Sequence, residues 1–138
     1  MRVLALDVGE RRIGVAVSDP LQVLARSLQV IKRKRLEDDL AILVGLVEDL
    51  EVETVLVGYP RTLRGEVGQQ ARLVDAFVEA LQQVIDAQVV LWDEWLSTVS
   101  ASRILDEQGL DAREQRSRID ATAAAIILQA YLDGRALP

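Results

Sequence analysis

The sequence of 138 residues contains no histidine and no cysteine. Without them it cannot form a Ser-His-Asp triad, a Cys-His nucleophile, a disulfide, or a metal site with imidazole or thiolate ligands. It also has no segment typical of a secretory leader and no apolar run near the roughly 18 residues of a transmembrane helix. Catalysis must therefore use carboxylates, hydroxyls, lysine, arginine, tyrosine or a bound metal ion, and we expect a soluble cytoplasmic protein with no membrane partner.

Acidic residues outnumber basic ones, 22 against 16, for a formal net charge of −6. Seven of these acids lie between residues 37 and 53, where there is no basic residue. The rest of the chain has 15 acids against 16 basic residues, and 14 of the basic residues are arginine, which suits bidentate contacts to phosphate. The overall acidity therefore does not exclude a nucleic-acid partner.

The order of apolar patterns predicts one α/β domain over residues 1–138, with half of its residues hydrophobic. Short apolar runs predict strands, and apolar residues at helical spacing predict helices, with the acids of the first helix on its outer face. The predicted strands are 3–6, 13–17, 23–31, 54–57 and 89–92, and the predicted helices are 36–50, 71–85, 97–108 and 117–132. This order predicts a five-stranded mixed sheet, made of a three-strand meander and two parallel strands, with helices on both faces.

Carboxylates follow two of the predicted parallel strands. Asp7 follows the first strand, Asp93 and Glu94 follow the last, and Tyr59 follows the strand between them. In open α/β sheets ligands bind beyond the carboxyl ends of parallel strands, so we expect these residues to meet at one edge. Each has a simpler interpretation, since Asp7 fits an ordinary hairpin turn and the 93–94 pair fits a solvated strand end.

A further carboxylate, Asp120, stands at the start of the very apolar last helix. A buried carboxylate is costly unless it is paired or bound to metal, although the spacing from Ser117 also fits a capping box. Asp19, in the sequence Ser-Asp-Pro, is interpreted as a turn residue at the opposite end of the sheet. Converging carboxylates without histidine or cysteine favour an oxygen-ligand site for Mg²⁺ or Mn²⁺.

Four blocks, in order along the chain, resemble the YqgF (RuvX) family of bacterial ribonuclease H-like nucleases. They are Asp7-Val8-Gly9 with 12–19, Val57-Gly58-Tyr59-Pro60, 93–98, and Asp120 with Ala123, Ala124, Ile126, Leu128, Gln129, Tyr131 and Leu132. The resemblance implies a ribonuclease H-like fold. It also implies processing of the 5′ end of the 16S ribosomal RNA precursor, or the resolution of four-way DNA (Holliday) junctions after which the family was first named.

The resemblance places the family's acidic residues on Asp7, Glu94 and Asp120, which are the expected catalytic and metal-binding residues. The expected metal is Mg²⁺ or Mn²⁺, with Asp7 as the central ligand. One position departs from the family pattern, because Trp95 stands where the family usually has arginine. Trp95 is compatible with stacking on a base or with packing in the core. The candidate contacts to phosphate are Arg12, Arg61, Arg64, Arg116 and Arg118, and the loop 61–68 is expected to close over the site.

The sequence is compatible with three functions. The leading hypothesis is a metal-dependent phosphodiesterase, and a homodimer is expected if four-way junctions are the substrate, since two symmetric cuts require two sites. The second is a nucleotide-binding enzyme, because an opening Asp-x-Gly strand is shared with actin-like kinases and ATPases. Those folds need two such lobes, and this chain supplies one. The third is a non-catalytic nucleic-acid-binding regulator, which the loss of arginine at Trp95 favours and the retention of three acids opposes.

Overall fold

The computed structural model describes residues 1–59, 69–93 and 123–134. The named elements follow in chain order as β1 (Arg2–Val8), β2 (Arg12–Ser18), β3 (Ala25–Lys32), α1 (Leu36–Asp49), β4 (Val52–Tyr59), α2 (Gln69–Gln82) and β5 (Gln88–Asp93). Residues 123–134 are also helical and are referred to below as the C-terminal helical segment. The predicted helix 97–108, the predicted loop 61–68 and the start of the predicted helix 117–132 lie outside the described residues.

The strands form one five-stranded sheet in the order β3-β2-β1-β4-β5. β1, β2 and β3 are an antiparallel meander, whereas β4 is parallel to β1 and β5 is parallel to β4. The predicted mixed sheet is therefore confirmed, including the placement of both parallel strands beside the first strand. The single-domain boundary of 1–138 stays a prediction.

Alternate residues of the central strands face two separate cores, as expected for strands covered on both sides. Leu4, Leu6 and Val8 pack with residues of α1 and α2, whereas Val3 and Ala5 pack against the C-terminal helical segment. These two cores cover the two faces of the sheet. The prediction of helices on both faces is confirmed.

The side chain of Gln129 connects the C-terminal helical segment to the turn between β2 and β3. Its Nε2 donates to the carbonyl oxygen of Val23 at 3.0 Å, and its Oε1 accepts a hydrogen bond from the backbone N–H of Ala25 at 2.8 Å. The two partners lie more than one hundred residues earlier in the sequence. One amide side chain thus joins the last described segment to the β2–β3 hairpin of the sheet.

Two details differ from the sequence prediction. The third strand begins at Ala25 and not at residue 23, because the carboxylate of Asp19 accepts hydrogen bonds from the backbone N–H groups of Val23 and Leu24 and holds them in the turn. The assignment of the acids of α1 to its outer face is wrong for Asp39, which is buried. The turn assignment of Asp19 itself is supported by these bonds.

No helix within residues 1–59, 69–93 and 123–134 is both long enough and apolar enough to cross a membrane.

Candidate metal and nucleic-acid site

Asp7 lies one residue before the end of β1, with its backbone paired to Gly14 of β2. Its neighbours Leu6 and Val8 are buried in the core beneath α1 and α2, so strand alternation directs Asp7 to the other face, which it shares with Ala5. Asp7 itself is half-buried. Its direct partner on β2, Gly14, has no side chain and leaves space beside the carboxylate.

The three parallel strands end together beside Asp7. Leu6 is in register with Val57 of β4, and Tyr59 of β4 is in register with Asp93, the last residue of β5. The phenol of Tyr59 donates to a carboxylate oxygen of Asp75 in α2 at 3.1 Å, which links this edge to the helix above it. The predicted meeting of these strand ends is confirmed at the level of the backbone.

A tight turn leads from Asp7 to the next strand. The backbone N–H of Gly9 donates to the carbonyl oxygen of Arg12 at 2.8 Å. A Cβ atom at Gly9 would lie 2.9 Å from that same oxygen, closer than such contacts normally occur. Glycine is required here by the close approach of two backbone segments. Arg12, a predicted phosphate contact, begins β2 and is half-buried.

The turn is held from below by Arg33, which the sequence analysis did not identify. The guanidinium of Arg33 donates to the carbonyl oxygen of Gly9 at 3.0 Å and to the carboxylate of Asp39 at 3.3 Å. It also lies 5.3 Å from the centre of the Phe77 ring, within cation–π range. The Asp39 carboxylate accepts a second hydrogen bond from the backbone N–H of Lys34. A buried ion pair thus supports the turn that follows Asp7.

The spacing of apolar residues in α1 indicates that Asp39 needs a charged partner. Asp39 lies four residues before Leu43 and directly before Leu40, at the border of the apolar face, and both leucines are buried. A carboxylate at that border must find a partner, and an arginine just before the helix is the nearest candidate.

The C-terminal helical segment covers the same face of the sheet as Asp7. Ala123 and Ala124 are fully buried, and Ala124 belongs to the core that contains Ala5. Asp120 precedes this segment by three residues in the sequence and lies outside the described residues.

The structure places only some of the predicted site residues. Asp7 and Arg12 are described: Asp7 lies near the carboxyl end of β1, and Arg12 is the first residue of β2, after the intervening turn. Among the described residues, no group of three or more acidic side chains could hold a metal ion. The half-buried carboxylate of Asp7 nevertheless fits Mg²⁺ or Mn²⁺, which prefer oxygen ligands. The remaining predicted residues lie outside the described ranges and are Glu94, Asp120, Arg61, Arg64, Trp95, Arg116 and Arg118.

Comparison with solved structures supports the ribonuclease H-like fold. A chain described as "T. thermophilus RuvC in complex with Holliday junction substrate" has a TM-score of 0.63 at 20% identity, covering 98% of this chain and 96% of that one. The fowlpox virus resolvase in complex with Holliday junction DNA has a TM-score of 0.57 at 9% identity, covering 99% of both chains. At these identities the similarity establishes the fold alone.

Comparison of sequences establishes the family. The RuvX profile, described as "Holliday junction resolvase", matches residues 1–134. A protein of Halothermothrix orenii, named "Putative pre-16S rRNA nuclease", is 44% identical over 96% of this chain and 95% of its own length. A protein of Moorella thermoacetica with the same name is 47% identical over 96% of this chain and 95% of its own length. The chain belongs to the RuvX family.

Proposed function

We propose that the protein is a divalent-metal-dependent nuclease that hydrolyses phosphodiester bonds at the 5′ end of precursor 16S ribosomal RNA. The observation that carries the proposal is the position of Asp7, a half-buried carboxylate where the parallel strands of the sheet end together. The names of the two relatives supply the substrate. A family match over residues 1–134 also favours a nuclease over the nucleotide-binding alternative.

Asp7, Glu94 and Asp120 would hold one or two ions of Mg²⁺ or Mn²⁺, with Asp7 as the central ligand. When bound, such an ion lowers the pKa of a water molecule and stabilises negative charge on the reacting phosphate, so no histidine base is needed. The backbone of Asp7 is fixed by pairing with β2, and the adjoining turn is fixed by Arg33. The backbone position of Asp7 is therefore set by the fold before a cation binds. Arg12, Arg61, Arg64, Arg116 and Arg118 would contact backbone phosphates.

A second candidate substrate is the four-way DNA junction. The description of the RuvX family favours it, and two neighbours of similar fold are resolvases described with junction DNA. A junction resolvase would act as a homodimer, since two symmetric cuts require two sites. Cleavage of the RNA precursor and of a synthetic junction, measured side by side, separates the two substrates.

The test of the mechanism is the Asp7→Asn variant, which keeps the size of the side chain and removes its charge. We expect cleavage to fall on the order of 10³-fold, equivalent to about 4 kcal/mol of transition-state stabilisation. Asp38→Asn is the matched control, because Asp38 is an exposed residue in the first turn of α1. We also expect EDTA to abolish cleavage and Mg²⁺ or Mn²⁺ to restore it.

Two results would contradict the proposal. Full metal-dependent cleavage by Asp7→Asn would exclude Asp7 as a ligand. Tight binding without cleavage by the unmodified protein, on both substrates and with either metal, would instead support the non-catalytic regulator.

A further inference from the structure

An exposed cluster of cations lies at the same end of the sheet as Asp7 and has no function in the mechanism above. We define it as the hairpin-tip basic surface, composed of Arg11, Lys32, Lys34 and Arg35. All four residues are exposed. Arg11 lies in the turn between β1 and β2, and the other three lie at the end of β3 and in the connection to α1.

Backbone contacts hold the two parts of this surface together. Arg12 and Lys32 are paired in register across β2 and β3, and the backbone N–H of Arg33 donates to the carbonyl oxygen of Arg11 at 2.9 Å. Between the two exposed lysines, Arg33 turns inward to the Gly9 carbonyl and to Asp39. A half-buried arginine therefore anchors a segment whose neighbouring lysines face solvent. The backbone that carries the cations is held in place before any ligand binds, so no segment has to become ordered on binding, which reduces the entropy lost.

Among residues 1–59, 69–93 and 123–134, no ion pair joins these four cations to a carboxylate. Within the described part of the chain, the ion pair given by the structure joins Arg33 to Asp39, and it includes no residue of the hairpin-tip basic surface. Glu37 and Asp38 follow in the first turn of α1, where their negative charge interacts favourably with the positive end of the helix dipole. Four cations on a small rigid area, with no described ion pair, match a ligand with repeated negative charges.

The distance from Asp7 indicates which part of the ligand would reach this surface. Asp7, Gly14 and Val30 form one row across β1, β2 and β3. Lys32 lies two residues beyond that row and two strands across, about 12 Å from Asp7 by standard strand spacings. A duplex rises 3.4 Å per base pair, so this separation corresponds to roughly three to four base pairs.

We propose that the hairpin-tip basic surface binds the phosphodiester backbone of the nucleic-acid substrate a few nucleotides away from the phosphate at Asp7. This proposal rests on the proposed function for the identity of the substrate. The surface increases affinity without reading sequence, because its cations meet phosphates and not base edges. None of its four residues was among the phosphate contacts expected from the sequence.

The first experiment measures binding in EDTA, so that its result does not depend on hydrolysis. Fluorescence anisotropy follows three labelled probes across a salt series, namely an RNA duplex, one of its strands alone and a four-way DNA junction. For the triple variant Lys32→Gln/Lys34→Gln/Arg35→Gln we expect binding about 10- to 100-fold weaker at 0.1 M salt. The plot of log affinity against log salt concentration has a negative slope. The magnitude of that slope should decrease by about 2.7 for duplexes and by about 2.1 for the single strand.

A matched pair of single variants controls for net charge. Arg35→Gln and Arg26→Gln each remove one exposed arginine, but Arg26 lies near the start of β3, at the opposite end of the sheet. We expect the magnitude of the salt slope to decrease by about 0.9 for Arg35→Gln and to stay unchanged for Arg26→Gln. Unchanged affinity and slope in the triple variant, with its circular dichroism and melting intact, would overturn the proposal. Equal effects of the two single variants would overturn it too.

The second experiment needs no substitution, because Lys32 and Lys34 are the only lysines of the chain. Acetylation by an amine-reactive ester, read by mass spectrometry, therefore reports on this surface and on the α-amino group of Met1. Met1 is exposed at the other end of the sheet and is the internal control. We expect bound RNA duplex to slow acetylation of both lysines several-fold and to leave the Met1 amine unaffected. Absence of protection at the lysines, or equal protection at Met1, would contradict the proposal.

Discussion

Replacing Arg33 by methionine tests whether the buried ion pair beneath the turn stabilises the fold. Methionine keeps an unbranched apolar side chain but removes both hydrogen bonds of the guanidinium, to the Gly9 carbonyl and to Asp39. The Asp39 side chain is only 1% exposed and keeps the hydrogen bond from the backbone of Lys34. Removing one partner of such a pair leaves a buried charge without its counter-ion, which costs about 3–5 kcal/mol. Loss of the contact with Phe77 contributes about 1 kcal/mol of this.

Urea unfolding followed by far-ultraviolet circular dichroism measures the effect. With a slope of about 1.5 kcal/mol per molar urea, a loss of 3 kcal/mol lowers the midpoint by about 2 M. The double variant Arg33→Met/Asp39→Leu removes both charges, so it should recover most of that loss. Arg26→Met, at an exposed site, should change stability by less than about 0.5 kcal/mol. A loss below 1 kcal/mol in Arg33→Met, or a double variant no more stable than the single one, would refute the reasoning.

Two further predictions concern glycines and a turn carboxylate. Gly9→Ala places a methyl group against the carbonyl oxygen of Arg12 and should lower the free energy of unfolding by about 1–3 kcal/mol. Gly45 lies in α1, and nothing lies within 4 Å of a methyl group placed there. Gly45→Ala should therefore raise the free energy of unfolding by about 0.5–1 kcal/mol. Equal urea midpoints for the two variants would contradict this. Backbone hydrogen bonds, chiefly from Leu24, lower the pKa of Asp19 below its ordinary value of 3.8. The stability that this carboxylate adds is therefore present above pH 3.8 and is lost as the pH falls through the lowered pKa. The stability difference between the unmodified protein and Asp19→Asn should shrink below about pH 4, and a difference constant from pH 7 to pH 2 would contradict it.

Local sequence signals were sufficient for most of the sheet. The apolar strands and their turns follow from short-range patterns, and the parallel placement of β4 and β5 follows from the helices between them. The start of β3 could not be placed from residues 23–31 alone, because a carboxylate four residues before Val23 determines it. The location of Asp7 at the edge of the sheet could be predicted because it depends only on where the first strand ends.

Tertiary contacts explain what the sequence could not predict. Seven acids between residues 37 and 53 suggested a uniformly solvated face, yet Asp39 is buried because Arg33 reaches it from the preceding connection. The hairpin-tip basic surface was missed for a related reason. Arg11 and Lys34 are separated in the sequence by two strands, β2 and β3, and only the pairing of these strands brings their segments together. The roles of Glu94 and Asp120 stay predictions, as do the cytoplasmic location and the homodimer.

The hydrogen bonds of Gln129 have a consequence for the order of events during synthesis on the ribosome. The sheet face formed by Val3, Ala5 and Leu56 is covered by residues that emerge after position 122. Until then Val3, Ala5 and Leu56 lack the apolar partners that this segment supplies, and apolar surface that is not yet covered is open to aggregation or to a chaperone. Closing a contact between Gln129 and Ala25 also spans 104 residues, and such long-range closures slow folding. The covering of this face therefore belongs to the last stage of folding, after the β1–β2–β3 meander has formed.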